Sequence, residues 1–145
     1  MAHPQMFDDD DPYLARVRAI CGRFPGVSER VSHGRPTFRT AKIFVTYGGG
    51  TKGPAATRVR YDHSILVLPD EAERPALEQD ERYYLPAYEG AYGWIGLDLA
   101  RGGTTVAQVD WDEVFELVDA SYRLVSPPRL VAEWDDLGQV PPSSG

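Results

Sequence analysis

The spacing of apolar residues switches period twice along this chain. Leu14, Val17, Ile20, Cys21 and Phe24 recur at three- and four-residue steps, which places them on one face of a helix. From Thr37 to Leu68 the pattern shortens towards two: Ile43, Val45 and Tyr47 alternate with Lys42, Phe44 and Thr46 in a β-branched and aromatic run. The helical spacing returns with Val114, Phe115, Leu117, Val118 and Tyr122, and again with Leu130, Val131 and Trp134. A helix, several strands and then helices specify an α+β fold, an antiparallel β-sheet packed against N- and C-terminal helices.

Punctuation residues set the expected boundaries. Asp8 to Asp11 before Pro12 suit a helix start, and Pro25-Gly26 a stop, so a helix is expected over 12–24. Val27 to Pro36 reads as a connector. At least four antiparallel strands are expected within 36–99: Thr37–Arg39, Lys42–Tyr47, Thr57–Tyr61, Ser64–Leu68 and Gly93–Leu99, with Gly48 to Pro54 as a flexible tip. Glu71 to Glu81 is helix-prone, with Pro75 near its start. Asp110 followed by Glu113 makes a capping box for a helix near 110–123, and Ser126 with Pro127-Pro128 opens another near 127–136. The expected core contains Phe38, Phe44, Trp94, Val114, Leu117 and Val118. Residues 1–11 read as a flexible leader, 12–137 as a single domain, and 138–145 as a disordered tail.

Of the 145 residues, 42% are hydrophobic, enough for a core. The single cysteine, Cys21, cannot form an internal disulfide and lies on an apolar stripe, where a thiol packs as an inert small hydrophobe. No apolar run is long enough to span a membrane, and Asp8 to Asp11 is the wrong flank for a signal peptide. A cytoplasmic protein is expected. The net charge of −7 conceals a division. Between Tyr13 and Tyr61 ten basic residues face Glu29 alone, a segment charge of +9, while the remainder holds five basic and 21 acidic residues, or −16. Such asymmetry suits an anion-facing surface, unless the two segments pack together and neutralise each other.

No catalytic constellation emerges. Gly48 to Gly53 has the glycines of a phosphate loop, but Lys52 is followed by Gly53, not Ser or Thr, and no helix pattern follows. His3, His33 and His63 lack ligand spacing, and one cysteine completes no thiolate site, so neither metal nor cofactor is expected. His33, in a turn beside Gly34, and His63 read as hydrogen-bonded structural residues. Ser32 and His33 are neighbours without the strand–turn–helix elbow of a nucleophile. Tyr83, Tyr84, Tyr88, Tyr92 and Trp94 have the composition of a stacking platform, but no basic residue interleaves with them, and packing of a helix on the sheet is the expected use. The strongest functional signal is the basic set on the strands: Arg35, Arg39, Lys42, Lys52, Arg58 and Arg60. Arg58 and Arg60, two apart, share a strand face. Phosphate contacts need only such charge on an exposed β-ribbon.

Several segments are similar to those of a known family. Ser32-His33-Gly34-Arg35-Pro36-Thr37-Phe38-Arg39 with Lys42-Ile43-Phe44, then Tyr61-Asp62-His63-Ser64, Tyr84-Leu85-Pro86-Ala87-Tyr88, Gly93-Trp94-Ile95-Gly96-Leu97, Asp110-Trp111-Asp112-Glu113-Val114 and Ser121-Tyr122-Arg123-Leu124-Val125 occur in order, and together resemble the MmcQ/YjbR-like family from about Leu14 to Leu130. The resemblance implies a CyaY-like fold, similar to bacterial frataxin. It also implies DNA binding through paired β-hairpins. Some relatives are labelled phosphoribosylglycinamide formyltransferase. That enzyme resembles a doubly wound fold with an Asn–His–Asp site, and this element order contains neither. A frataxin-like iron ridge would need acids along the first helix, where Arg16, Arg18 and Arg23 stand instead. The expectation is therefore a non-enzymatic protein that binds nucleic acid through its basic hairpins. The alternative is a regulatory or interaction module for a protein or a small anionic ligand.

Overall fold

The computed structural model describes residues 4–138. Helix α1 (Pro12–Cys21) begins where Asp11 accepts a hydrogen bond from the Tyr13 backbone N–H, with Pro12 in the first turn, where no N–H is needed. It ends a turn earlier than the spacing suggests, and Phe24 follows in the turn yet stays buried. Six strands come next: β1 (Ser28–Ser32), β2 (Arg35–Arg39), β3 (Ile43–Gly50), β4 (Arg60–Val67), β5 (Tyr83–Tyr84) and β6 (Ile95–Asp98). They form one sheet in the order β1-β2-β3-β4-β6-β5, with every neighbouring pair antiparallel. A short helix, α2 (Arg74–Glu78), precedes β5, and α3 (Trp111–Val125) and α4 (Pro128–Asp136) close the chain. The α+β architecture with an antiparallel sheet and flanking helices is thus observed.

Residues 27–36 are not a connector. They contain β1, which pairs with β2 from Ser28↔Arg39 to Ser32↔Arg35 around a two-residue turn. The turn residues His33 and Gly34 both have positive φ, 52° and 80°, as a hairpin turn matched to strand twist requires. The strand escapes pattern reading because four of its five residues are exposed, so no apolar period marks it. Gly48 to Gly50 are likewise not a tip but the end of β3. The tip lies beyond them, closed by Thr51 N–H to Val59 C=O at 2.9 Å and Val59 N–H to the Thr51 hydroxyl at 2.9 Å. Within it Pro54 C=O accepts from Thr57 and Arg58, a turn that keeps Arg58 out of the strand, so β4 starts only at Arg60. Residues 60–67 then run as one strand where two were expected.

One face of the sheet is covered by α1, α3 and α4. Val45, Tyr47, Ile65, Val67, Ile95 and Leu97 point there and join Leu14, Val17, Val114, Val118 and Tyr122 in the core. Phe24, Phe44, Phe115, Tyr122 and Trp134 form an aromatic knot, with Phe24 and Trp134 ring centroids 4.2 Å apart. Two expected core residues differ. Trp94 and Leu117 are only half-buried, Leu117 packing against the edge of the core, while Phe38, Phe44, Val114 and Val118 are buried as expected. Asp110 caps α3 by accepting from Glu113 N–H. The reciprocal half of the capping box is not made, because the Glu113 carboxylate bonds Arg82 at 2.6 and 2.9 Å. Ser126 ends α3 instead of opening α4, whose cap position is Pro127. Of the expected tail, all but Gly138 lies outside the described residues. Residues 4–11 lie on the domain, with Met6 N–H bonded to Gly34 C=O at 2.9 Å and Phe7 packed against the core. Among the described residues no helix is long and apolar enough to cross a membrane.

Candidate anion-binding cleft

Residues of the other face of the sheet divide it into a closed half and an open half. On the β4–β6–β5 side the Tyr84 ring lies flat on Gly96 and reaches Gly49. A Cβ on Gly96 would stand 2.4 Å from that ring, and one on Gly49 2.6 Å from its hydroxyl. Tyr84 stacks on Tyr61 with centroids 4.2 Å apart, and its hydroxyl lies 2.7 Å from that of Ser64. Burial first of all raises the Tyr84 pKa well above the ordinary tyrosine range, so the phenol stays protonated. Among the described residues no such ring stack lies over β2 and β3. A cleft of about 860 Å³ remains there. Thr37, Thr46 and Leu66 lie in its floor, and the β3–β4 loop and residues 87–89 form its walls.

Arg35, Arg58 and Arg60 all line this cleft, and Glu89 is the only acid in its wall among the described residues. The Arg35 side chain is 11% exposed and bonds Asp62 at 3.2 Å. Arg60 bonds the same carboxylate, also at 3.2 Å, so one negative charge serves two guanidinium groups. Arg35 crosses directly over Gly48, whose φ is +86°. A Cβ on Gly48 would lie 2.1 Å from Arg35 Nη1. Only glycine satisfies both the positive φ and that close approach. Arg39, one pleat along β2, donates from Nη2 to the Thr37 hydroxyl at 3.1 Å, which fixes it on the same face. Arg35 Nη1 and Arg39 Nε are buried and have no hydrogen-bond partner among the described residues. Such orphans cost about 1–3 kcal/mol each, more for charged groups.

The six expected basic residues are therefore not one continuous ridge. Arg35, Arg58 and Arg60 converge on the cleft, with Arg39 beside them. Lys42, in the β2–β3 turn, and Lys52, in the β3–β4 loop, are exposed and lie outside its wall. Arg58 and Arg60 do come together, although Arg58 belongs to the loop and not to a strand. Local neutralisation accounts for other arginines. Arg18 pairs with Asp9 and Glu29, Arg74 with Glu78, Arg82 with Asp80 and Glu113, and Arg123 with Asp119 and Asp135. Arg39, Lys42, Lys52 and Arg58 make no ion pair among the described residues. Of the arginines that line the cleft, Arg58 alone makes no ion pair among the described residues, and Arg35 and Arg60 share the single carboxylate of Asp62.

His63 is held by hydrogen bonds at the start of α1, whereas His33, in the β1–β2 turn, is among the residues that line the cleft. His63 Nδ1 lies 2.8 Å from the buried Asp11 carboxylate, which also accepts from the Tyr47 hydroxyl and caps α1. Burial, and then the bond to Asp11, push the Tyr47 phenol far above its ordinary range. No cluster of three or more His, Cys, Asp or Glu capable of holding a metal occurs among the described residues. The cleft's floor escaped sequence reading. The available signal was the alternation of Arg35, Thr37 and Arg39 on a strand followed by a glycine run, which together mark a side chain crossing a neighbouring backbone.

This is an antiparallel α+β domain with one helix-covered sheet face and one arginine-lined open face. The YjbR family model matches residues 22–124, and the chain belongs to the YjbR family. No curated protein matches the chain.

Proposed function

We propose that this YjbR-family chain is a non-enzymatic binding protein whose open sheet face takes a phosphate-bearing ligand. The observation that carries the reading is the cleft over β2 and β3. It holds three arginines against a single wall acid, and the buried Nη1 of one of them, Arg35, has no hydrogen-bond partner among the described residues. A planar guanidinium matches a phosphate in two parallel hydrogen bonds, and this is worth most where water is partly excluded. The cleft volume lies within the ~300–1,000 Å³ of small-molecule sites.

Isothermal titration with inorganic pyrophosphate at low and moderate salt tests the reading. The expected result is binding that weakens as salt rises and falls at least about tenfold in an Arg58→Ala/Arg60→Ala variant. Binding unchanged in that variant sets the cleft aside. A second reading is contact with a duplex DNA backbone. It is favoured by exposed Lys42, Lys52 and Arg58, which sit in consecutive β-connections without ion-pair partners among the described residues. Fluorescence anisotropy with a labelled duplex separates the two. Backbone binding gives a log–log salt slope of about −0.9 per phosphate neutralised, and four to six contacts a slope near −4 to −5. A flat response with intact pyrophosphate binding leaves the cleft reading alone.

A further inference from the structure

Tyr88 combines three properties. It lines the cleft, its side chain is exposed although aromatic, and its backbone is strained. The residue is 79% exposed, whereas Tyr83 and Tyr84 in the same segment are packed away. Its φ and ψ are 66° and −61°, and Glu89 N–H bonds Ala87 C=O across it at 2.8 Å. That is a γ-turn of the rare, strained hand, at odds with a bulky side chain. The turn is tied down. Ala87 N–H bonds Gly50 C=O at 2.8 Å, Gly90 N–H bonds Pro86 C=O at 3.0 Å, and Trp94 N–H bonds Glu89 C=O at 3.3 Å. The first of these bonds fastens the turn to the end of β3, in the cleft wall. Strain of this kind persists only where surroundings over-determine it, and it concentrates at ligand sites. Here it is not compensated by burial of the ring.

We propose that Tyr88 is a stacking platform for a flat heterocycle, so that the ligand of the cleft is a nucleotide unit. Its phosphate meets Arg35, Arg58 and Arg60, and its base lies on the Tyr88 ring. This rests on the phosphate-binding reading and narrows it. An aromatic face accepts any base, and arginines nearby supply the phosphate contact, the combination by which unpaired nucleotides are held. A base within a duplex offers no free face, so the arrangement suits a free nucleotide or a single strand and not double-stranded DNA. The backbone that carries the ring is already tethered at its turn, so less main-chain entropy is lost on binding.

The test compares pyrophosphate, ADP and a short oligothymidylate on the wild-type chain, Tyr88→Ala and Tyr88→Phe. ADP is expected to bind more tightly than pyrophosphate. Tyr88→Ala should weaken ADP about 5- to 100-fold while leaving pyrophosphate unchanged, and Tyr88→Phe should retain ADP binding. The position is exposed, so both variants should melt like the wild type by circular dichroism. The oligothymidylate binding more tightly than ADP, and losing affinity in Tyr88→Ala, would assign the unit to a single strand. The reverse order assigns it to a free nucleotide. Equal affinity of ADP and pyrophosphate, or ADP binding indifferent to Tyr88→Ala, overturns the stacking role and leaves the phosphate cleft standing. Absence of binding by all three probes overturns both.

Discussion

Gly48 shows how one residue without a side chain shapes the candidate site. Its positive φ and the passage of Arg35 over its backbone exclude a Cβ. Gly48→Ala should therefore cost about 1–3 kcal/mol in urea melts and displace Arg35 from Asp62. A loss below about 0.5 kcal/mol would mean that Arg35 does not need this path. Part of this was legible: the sequence marks a glycine run after a β-branched strand. It does not say which side chain the glycines accommodate, since Arg35 and Gly48 meet only through the pairing of β2 with β3. Cys21 was more easily read, because its place on the α1 stripe implies burial, and it is fully buried. Burial raises its pKa well above the ordinary thiol range. The folded state then holds the thiol proton more tightly than the unfolded state. Stability from this group is full below the unfolded thiol pKa of about 8.5 and is lost as pH rises above it. Native protein should resist iodoacetamide and react once unfolded in urea. Rapid alkylation of the native chain would contradict the packing.

Among the elements, α3 is docked by more than its apolar stripe. The buried Ser121 hydroxyl donates to Phe44 C=O at 2.6 Å and accepts from Leu68 N–H at 3.0 Å. It thereby holds the helix to β3 and to the chain just past β4. Ser121→Ala leaves both backbone groups unpaired and should cost about 1–3 kcal/mol, read as a lower urea midpoint with unchanged slope. Leu117→Ala on the same helix should cost less than the 2–5 kcal/mol of a fully buried leucine, because Leu117 is half-exposed. Long elements with strong periodicity were legible to within a few residues: α1, α3, α4 and the β3 and β4 runs. The polar edge strand β1 was not, since an edge strand is recognised by its partner's hydrogen bonds and not by burial. The boundary between loop and β4 was missed for a similar reason. Thr57 to Tyr61 alternates as a strand would, but the turn at Pro54 claims Thr57 and Arg58.

At the scale of the molecule, the strand order sets β2 on the far side of β3 from the Tyr84–Tyr61 stack, which reaches only the Gly49 end of β3, and the cleft lies over the remainder of these two strands among the described residues. The same topology folds most of the basic segment 13–61 into neighbouring strands. The acidic remainder neutralises Arg74, Arg82, Arg101 and Arg123 elsewhere. Charge division along the sequence suited an anion-facing surface, but did not show that Arg35, Arg58 and Arg60 would line a cleft while Lys42 and Lys52 stand apart. The most direct measurement is the melting temperature of the wild-type chain and of Arg58→Ala/Arg60→Ala in increasing pyrophosphate. A ligand at 100 times its dissociation constant stabilises by about 2.7 kcal/mol, so the wild type should rise by roughly 5–10 °C and the variant far less. No rise in the wild type at any concentration, or an equal rise in both, would contradict a phosphate-binding cleft.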